Sequence, residues 1–318
     1  MTSFYRREVL QQALSIIWRK KYLWFIALFA GISTYGGEVN FLFSKYNTIA
    51  TFQNFLRTIR SLFLEQQIQP YLQKIQSIWG TDSGRISLYL LLSLLVTAFI
   101  IWLMIVSQAA IVRIVGRTSQ KKNTGFFDGV ATGTMKFWDL VQMNIIAFLF
   151  GWGLWVLITA TPAAIYLING VQVWATIANI GTVVTVIFSA IIAFLIQFAT
   201  ASMVLQSTPL IPAIVESWRL FRRNVLVCLE MAVIIFALNL GVLLVTFGVT
   251  ILLIQPYSVG GLLTLIAVMA LEYAVMTAYS FAAWTIVYQK LVEGKAESKI
   301  GRWTNQLVNF TKPKQIVS

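Results

Sequence analysis

Histidine is absent from this 318-residue chain, and cysteine occurs once, as Cys228. Without histidine the chain lacks the commonest general base and the commonest transition-metal ligand. A single cysteine excludes an intrachain disulfide, and because Cys228 lies in an apolar run we expect it to be a small buried side chain. The sequence also has no phosphate-binding glycine loop, no G-x-S-x-G and no C-x-x-C. It therefore predicts no catalytic residue, no metal site and no cofactor.

Charged residues are scarce as well, at 11% of the chain, whereas 58% of the residues are hydrophobic. Soluble domains carry roughly 25% charged residues. The apolar residues form long runs, and a run of about 18 or more predicts a spanning helix. Within lipid each backbone N–H and C=O must be satisfied inside the segment. A membrane β-barrel would need alternating segments, and the run at 251–254 does not alternate. The predicted fold is therefore an all-α polytopic membrane bundle.

Six apolar segments are predicted to form the spans of a single membrane domain over residues 1–318. The first is short and follows an amphipathic helix, so a re-entrant or interfacial segment is its alternative. Pro162 is predicted to bend or end the third. The segments lie near residues 22–35, 87–112, 140–168, 176–205, 225–254 and 259–288.

The distribution of Lys and Arg predicts the orientation. With six spans and the N-terminus in the cytoplasm, 19 of the 24 basic residues lie on the cytoplasmic side. The outer side keeps only Lys45, Arg57, Arg60, Lys74 and Arg85. The positive-inside rule thus predicts a multi-pass protein of the cytoplasmic membrane with both termini inside, including a tail at 289–318. The net charge of +13 is explained by topology and by attraction to anionic inner-leaflet lipid, not by nucleic-acid binding.

The longest hydrophilic stretch is the predicted extracytoplasmic loop at 36–86. Two pieces of it, at 52–63 and 68–79, repeat apolar residues at helical spacing. This pattern is typical of amphipathic helices that lie on a surface. They would cover the outer ends of the bundle, or alternatively form a cap over a cavity.

Three outgoing spans share a plan that predicts a repeat of helical hairpins. Each span follows an amphipathic helix and a polar or basic junction, near residues 18–22, 137–140 and 221–225. The third introducing helix has Pro209 in its first turn, and Ser207 or Thr208 is expected to cap it. Its apolar face includes Ile211 and Trp218, so we expect it to lie flat on the inner leaflet. The basic residues predicted to contact lipid headgroups here and at the first junction are Arg19, Lys20, Lys21, Arg219, Arg222 and Arg223.

The stretches ALSIIWRKKYLWFIALFAG and VESWRLFRRNVLVCLEMAVIIF resemble those of a broad bacterial group of six-span proteins. That group is similar to the membrane domain attached to some glycerophosphodiester phosphodiesterases. The resemblance implies fold and membrane context. It does not imply phosphodiesterase activity, because this sequence has neither an appended hydrolase domain nor a histidine for that chemistry.

Glu272 is the most suggestive residue inside a span. An ionisable group near the middle of a membrane helix costs roughly 2.5 kcal/mol or more and raises a functional hypothesis. No Lys or Arg falls inside a span to pair with Glu272. The residue is either a proton or cation site or a neutral carboxyl that links helices.

Glu230 is a second candidate, about two turns into the fifth span. Ala237, Gly241 and Gly248 fall on the same stripe, and small residues permit close helix packing. Arg223 lies seven residues earlier on that face. A structural ion pair with Arg223 is the preferred interpretation, and a functional carboxylate is the alternative.

These observations favour a non-enzymatic membrane protein that binds lipid or partner proteins. The alternative is a small transporter or channel that uses Glu272. A membrane-embedded enzyme is disfavoured by the missing motifs. A water-filled cavity at Glu272 would favour transport, and a packed interior there would favour the first hypothesis.

Overall fold

The computed structural model describes residues 5–33, 68–253 and 259–294, and within these ranges helices are joined by short turns and there is no strand. The prediction of an all-α membrane bundle is confirmed. In chain order the helices are α1 (Tyr5–Arg19), α2 (Tyr22–Ser33), α3 (Ile68–Ser119), α4 (Phe126–Met135), α5 (Phe137–Trp155), α6 (Thr161–Asn169), α7 (Gln172–Leu205), α8 (Leu210–Arg223), α9 (Val225–Leu253) and α10 (Val259–Val292), with a π-helical turn at Val156–Ala160 between α5 and α6.

Several of these helices can cross a bilayer. Five segments are long and apolar enough: Ser87–Ser119, Phe137–Tyr166, Gln172–Leu205, Val225–Val249 and Leu263–Val292. The chain is thus a multi-pass membrane protein.

Helix α2 is a shorter apolar helix of 12 residues. Its length of about 18 Å is less than the roughly 30 Å of a hydrocarbon core. A sixth span at residues 22–35 therefore stays a prediction.

The start of α3 differs from the prediction. The helix begins at Ile68 and runs unbroken to Ser119. The second amphipathic piece of the predicted loop at 36–86 is therefore the first part of the helix that carries the second span. The first amphipathic piece, at 52–63, lies outside the described residues.

The helices group into two compact units. The first comprises Met1–Val39, Met104–Asn144 and Ala193–Ser318, and the second comprises Asn40–Leu103 and Ile145–Ile192. The buried core of the first unit gathers around the last three turns of α10, where Trp284 and Tyr288 are almost fully buried. Trp284 contacts the rings of Phe194 and Phe198 on α7.

In the second unit, Pro162 neither ends nor simply bends the third span. Proline has no N–H to donate to the carbonyl of residue i−4, which is Ile158. The chain inserts a π-helical turn instead, and the Thr161 backbone N–H and hydroxyl both donate to the Val156 carbonyl. The freed Ile158 carbonyl lies against Gly181 of α7, where any side chain would collide with it. Thr159 and Thr185 join the same two helices through a hydroxyl pair at 3.1 Å.

Three short introducing helices each precede an outgoing helix in the first unit. The breaks fall at Lys20-Lys21, Lys136 and Asn224, and in each the carbonyl of the first break residue accepts an early N–H of the next helix. The Leu140 N–H donates to the Lys136 carbonyl, and the Cys228 N–H donates to the Asn224 carbonyl. In both bonds the donor is four residues, or about one helical turn, after the acceptor. The helix–break–helix plan predicted from the junctions is therefore present three times.

Helix α4 is held against α3 by two glycines. A Cβ on Gly133 would lie 2.6 Å from the Val106 carbonyl oxygen, and one on Gly129 would lie 2.7 Å from Ile114 Cδ1. The G-x-x-x-G sequence thus serves packing within the chain, because only glycine lets the two helix backbones approach so closely.

Gly133→Ala is predicted to lower the free energy of unfolding by about 1–3 kcal/mol, because the new methyl group must push α4 away from a backbone atom. Gly241→Ala in α9 is the matched control, since nothing lies within 4 Å of its added Cβ. Unfolding by denaturing detergent would measure both. Equal effects of the two substitutions would contradict this account of α4.

Candidate functional site

Helix α8 has a docked face, an exposed apolar stripe and a basic C-terminal end. The docked face consists of Ala213, Ser217 and Phe221, which recur every fourth residue and are buried. Ile211, Val215 and Trp218 form an adjacent apolar stripe that is exposed, with 73% of Ile211 accessible. Such a stripe on a docked helix has no protein to cover it among the described residues, which fits contact with lipid.

The C-terminal end of α8 is basic. Arg219, Arg222 and Arg223 are exposed, and none forms an ion pair with another described residue. The arginines follow Trp218 directly, at the position where an indole marks the headgroup level. Apolar contact and positive charge are therefore available together on the same helix.

Polar and aromatic contacts fix α8 on the bundle. Glu216 accepts a hydrogen bond of 3.0 Å from the Ser202 hydroxyl, and Phe221 stacks on Phe194 with ring centroids 5.4 Å apart. The expected capping by Ser207 or Thr208 is wrong. Pro209 occupies the N-cap position, and its side chain has no group that could make a capping bond. The Thr208 hydroxyl pairs instead with Ser202 at 2.7 Å.

Helix α1 repeats the arrangement at the first junction. Val9, Ala13 and Ile17 are buried, whereas 60% of Trp18 is accessible. Arg19 and Lys21 are exposed and have no ion pair with another described residue. These two basic residues are placed where the sequence predicts headgroup contacts.

Lys20 is used differently from its neighbours. Its ammonium donates to the Thr118 hydroxyl at 3.0 Å and to the Thr124 carbonyl at 2.7 Å. These bonds tie the α1–α2 break to the turn after α3. Partial burial lowers the pKa of Lys20 from its usual value. Lys20 therefore stabilises the fold, and its ammonium group is directed to protein partners where Arg19 and Lys21 are exposed.

The second introducing helix contributes exposed residues that the sequence reasoning missed. Phe127 is 83% accessible, and Trp138 just after the α4–α5 break is 71% accessible. The signal in the sequence is that Phe127 shares one short helix with Gly129 and Gly133. The glycines bury one face of α4 and leave the aromatic face outward.

Glu272 lies half-buried on α10, where its carboxyl group hydrogen-bonds Thr246 of α9. Its Oε2 atom is buried and has no partner among the described residues. A second hydrogen bond, nearer the C-terminal end of α10, links the same two helices: the Asn239 amide donates to the Ser280 hydroxyl at 3.3 Å. Glu272 thus belongs to a polar ladder between α9 and α10, which is the helix-linking arrangement.

Glu230 is also half-buried and interacts with another group. The ion pair predicted between Glu230 and Arg223 is not formed, because Arg223 has no ion pair with another described residue. The small-residue stripe beyond it is open: nothing lies within 4 Å of a Cβ added at Gly241 or Gly248. No helix of the described part of the chain packs there, contrary to the packing interface expected from the spacing.

In comparisons with known proteins, no family model, curated protein or solved structure matches the chain. The resemblance to membrane domains of glycerophosphodiester phosphodiesterases stays a prediction. So do the absences of a catalytic residue and of a cofactor.

The Glu272–Thr246 bond predicts a measurable coupling. In a double-mutant cycle of Glu272→Leu and Thr246→Val, the coupling free energy of unfolding should be about 0.6 kcal/mol, with about 1.7 kcal/mol as the upper bound. Glu272→Gln should retain most of the stability, since a neutral amide can make the same bond. A zero coupling, or a Gln variant as unstable as the Leu variant, would contradict the helix-linking role.

Proposed function

We propose that this chain is a non-enzymatic protein of the cytoplasmic membrane whose introducing helices bind anionic lipid. The observation that carries the proposal is on α8, where an exposed apolar stripe adjoins three arginines that form no ion pair with another described residue, and where the remaining face is docked on the bundle. A helix of this kind gains free energy from apolar burial and from attraction to anionic headgroups.

Charge supports the choice of anionic lipid. On the three introducing helices and the breaks that follow them, the cations outnumber the acids, and each acid already has a partner: Asp128 pairs with Arg117, Glu8 pairs with Lys290, and Glu216 accepts a hydrogen bond from Ser202. Arg19, Lys21 and the three arginines of α8 form no ion pair with another described residue, so they remain for an external anion. Each Lys or Arg near an anionic surface contributes about 1 kcal/mol to membrane attraction. The positive-inside orientation would place these helices at the cytoplasmic leaflet, where anionic lipid is found.

Transport through Glu272 is the alternative and receives less support. The carboxyl group of Glu272 is hydrogen-bonded to Thr246. A cavity in the first unit is lined on its α10 side by residues 281, 284 and 285. The nearest of these is nine residues from Glu272, or about 13 Å along the helix. A transport site would require water to reach Glu272.

The test compares two double variants that remove equal charge. Arg222→Gln/Arg223→Gln removes two cations beside the apolar stripe. Lys121→Gln/Lys122→Gln removes two adjacent exposed cations from the turn after α3, away from that stripe. The affinity of each detergent-purified protein for phosphatidylglycerol would be measured by native mass spectrometry, with phosphatidylcholine as the neutral comparison.

The arginine variant is predicted to bind phosphatidylglycerol about tenfold to thirtyfold more weakly, since each lost cation removes about 1 kcal/mol. The lysine variant should change the affinity much less, and phosphatidylcholine binding should be unaffected. Equal losses in both variants would assign the effect to overall charge and not to α8. Unchanged binding in the arginine variant would refute the proposed site.

A further inference from the structure

A small cavity lies in the first unit where α3, α7 and α10 meet. Its polar lining comes from all three helices: Gln108 of α3, Gln197 and Thr200 of α7, and Thr285 of α10. Trp284 forms part of its apolar wall. The cavity lies between three spanning helices, about one to three turns before their C-terminal ends.

The polar groups around this cavity are not all satisfied by the protein. Gln108 has an interaction within the chain, and the Thr285 hydroxyl donates to the Phe281 carbonyl at 2.7 Å. Neither the Gln197 amide nor the Thr200 hydroxyl bonds another described residue. Thr200 is 4% exposed, yet neither its hydroxyl nor the Gln197 amide is among the fully buried unpartnered side-chain atoms of the described residues, so both groups can be reached from the cavity. An occupant that hydrogen-bonds them would satisfy polar groups that have no protein partner there.

The size and charge of the cavity restrict what can occupy it. The volume of the cavity is about 20 Å³, and one water molecule needs a cavity of about 10–15 Å³. No ionisable side chain lines the cavity. An ion would therefore be buried without a counter-charge, which is far more costly than burying a neutral group.

We propose that this cavity binds one neutral oxygen that hydrogen-bonds both Gln197 and Thr200. Both side chains offer a donor and an acceptor, so the oxygen is that of a water molecule or the hydroxyl or carbonyl tip of a lipid. The bound oxygen bridges two side chains that lie one turn apart on α7, on the wall of the cavity that faces α3 and α10. This inference is independent of anionic-lipid binding by α8.

Crystal structures of the full chain would test the inference, grown once from a lipid mesophase and once from delipidated protein in detergent. We expect density for one oxygen within hydrogen-bonding distance of Gln197 and Thr200. Density in both crystals identifies water. Density that is continuous with an acyl chain and is lost on delipidation identifies a lipid oxygen. An empty cavity in both crystals would overturn the proposal.

Variants test the assigned ligands. Gln197→Leu/Thr200→Val keeps the shape of the site and removes its bonds, so the density should disappear. Thr264→Val is the control, because that hydroxyl on α10 bonds only its own helix at the Gly260 carbonyl, and the density should persist. Density that stays in place in the double variant would show that Gln197 and Thr200 are not its ligands and would overturn the proposal.

Discussion

The end of α10 is the joint on which the first unit depends. The Gln289 amide donates to the Gly116 carbonyl at 2.8 Å, and its oxygen accepts from the Ser119 hydroxyl at 2.6 Å, which fixes the last turn of α3. Lys290 pairs with Glu8 of α1 at 3.0 Å. Tyr288 and Trp284 contact the ring of Phe198 on α7. Helices from the start, middle and end of the chain therefore meet at one level.

This joint explains why the introducing helices can face outward on two sides. With α3, α7 and α10 fixed, α1 and α8 need only one face each for docking, and that face carries small or apolar residues such as Ala13 and Ala213. Their remaining surface is divided between an apolar stripe and cations. A bilayer interface offers apolar and charged surroundings within a few ångströms, so it matches both parts of that surface. Lipid binding is thus proposed as a consequence of how the spans are held together.

Much of this architecture could be predicted from sequence, because apolar runs and basic residues report directly on the membrane. The helical fold, the breaks before α2, α5 and α9 and the exposed arginines of α8 follow from such local patterns. Contacts between distant segments could not be predicted. Lys20 has the same neighbours in sequence as Arg19 and Lys21, and only tertiary structure shows that it bonds Thr118 and Thr124. The predicted cap of α8 is wrong for a similar reason, since the Thr208 hydroxyl pairs with Ser202 of α7.

The most direct test of the account is the depth of α8 in a bilayer. Spin labels placed singly at Ile211 and Arg223, which point about 120° apart on the helix, would be compared in reconstituted protein for collisions with oxygen, which concentrates in lipid, and with a water-soluble nickel chelate. The account predicts that the label at Ile211 favours oxygen and the label at Arg223 favours nickel. A label at Ile211 that collides with nickel as readily as the label at Arg223 would show that α8 faces water, and the proposed lipid contact would be contradicted.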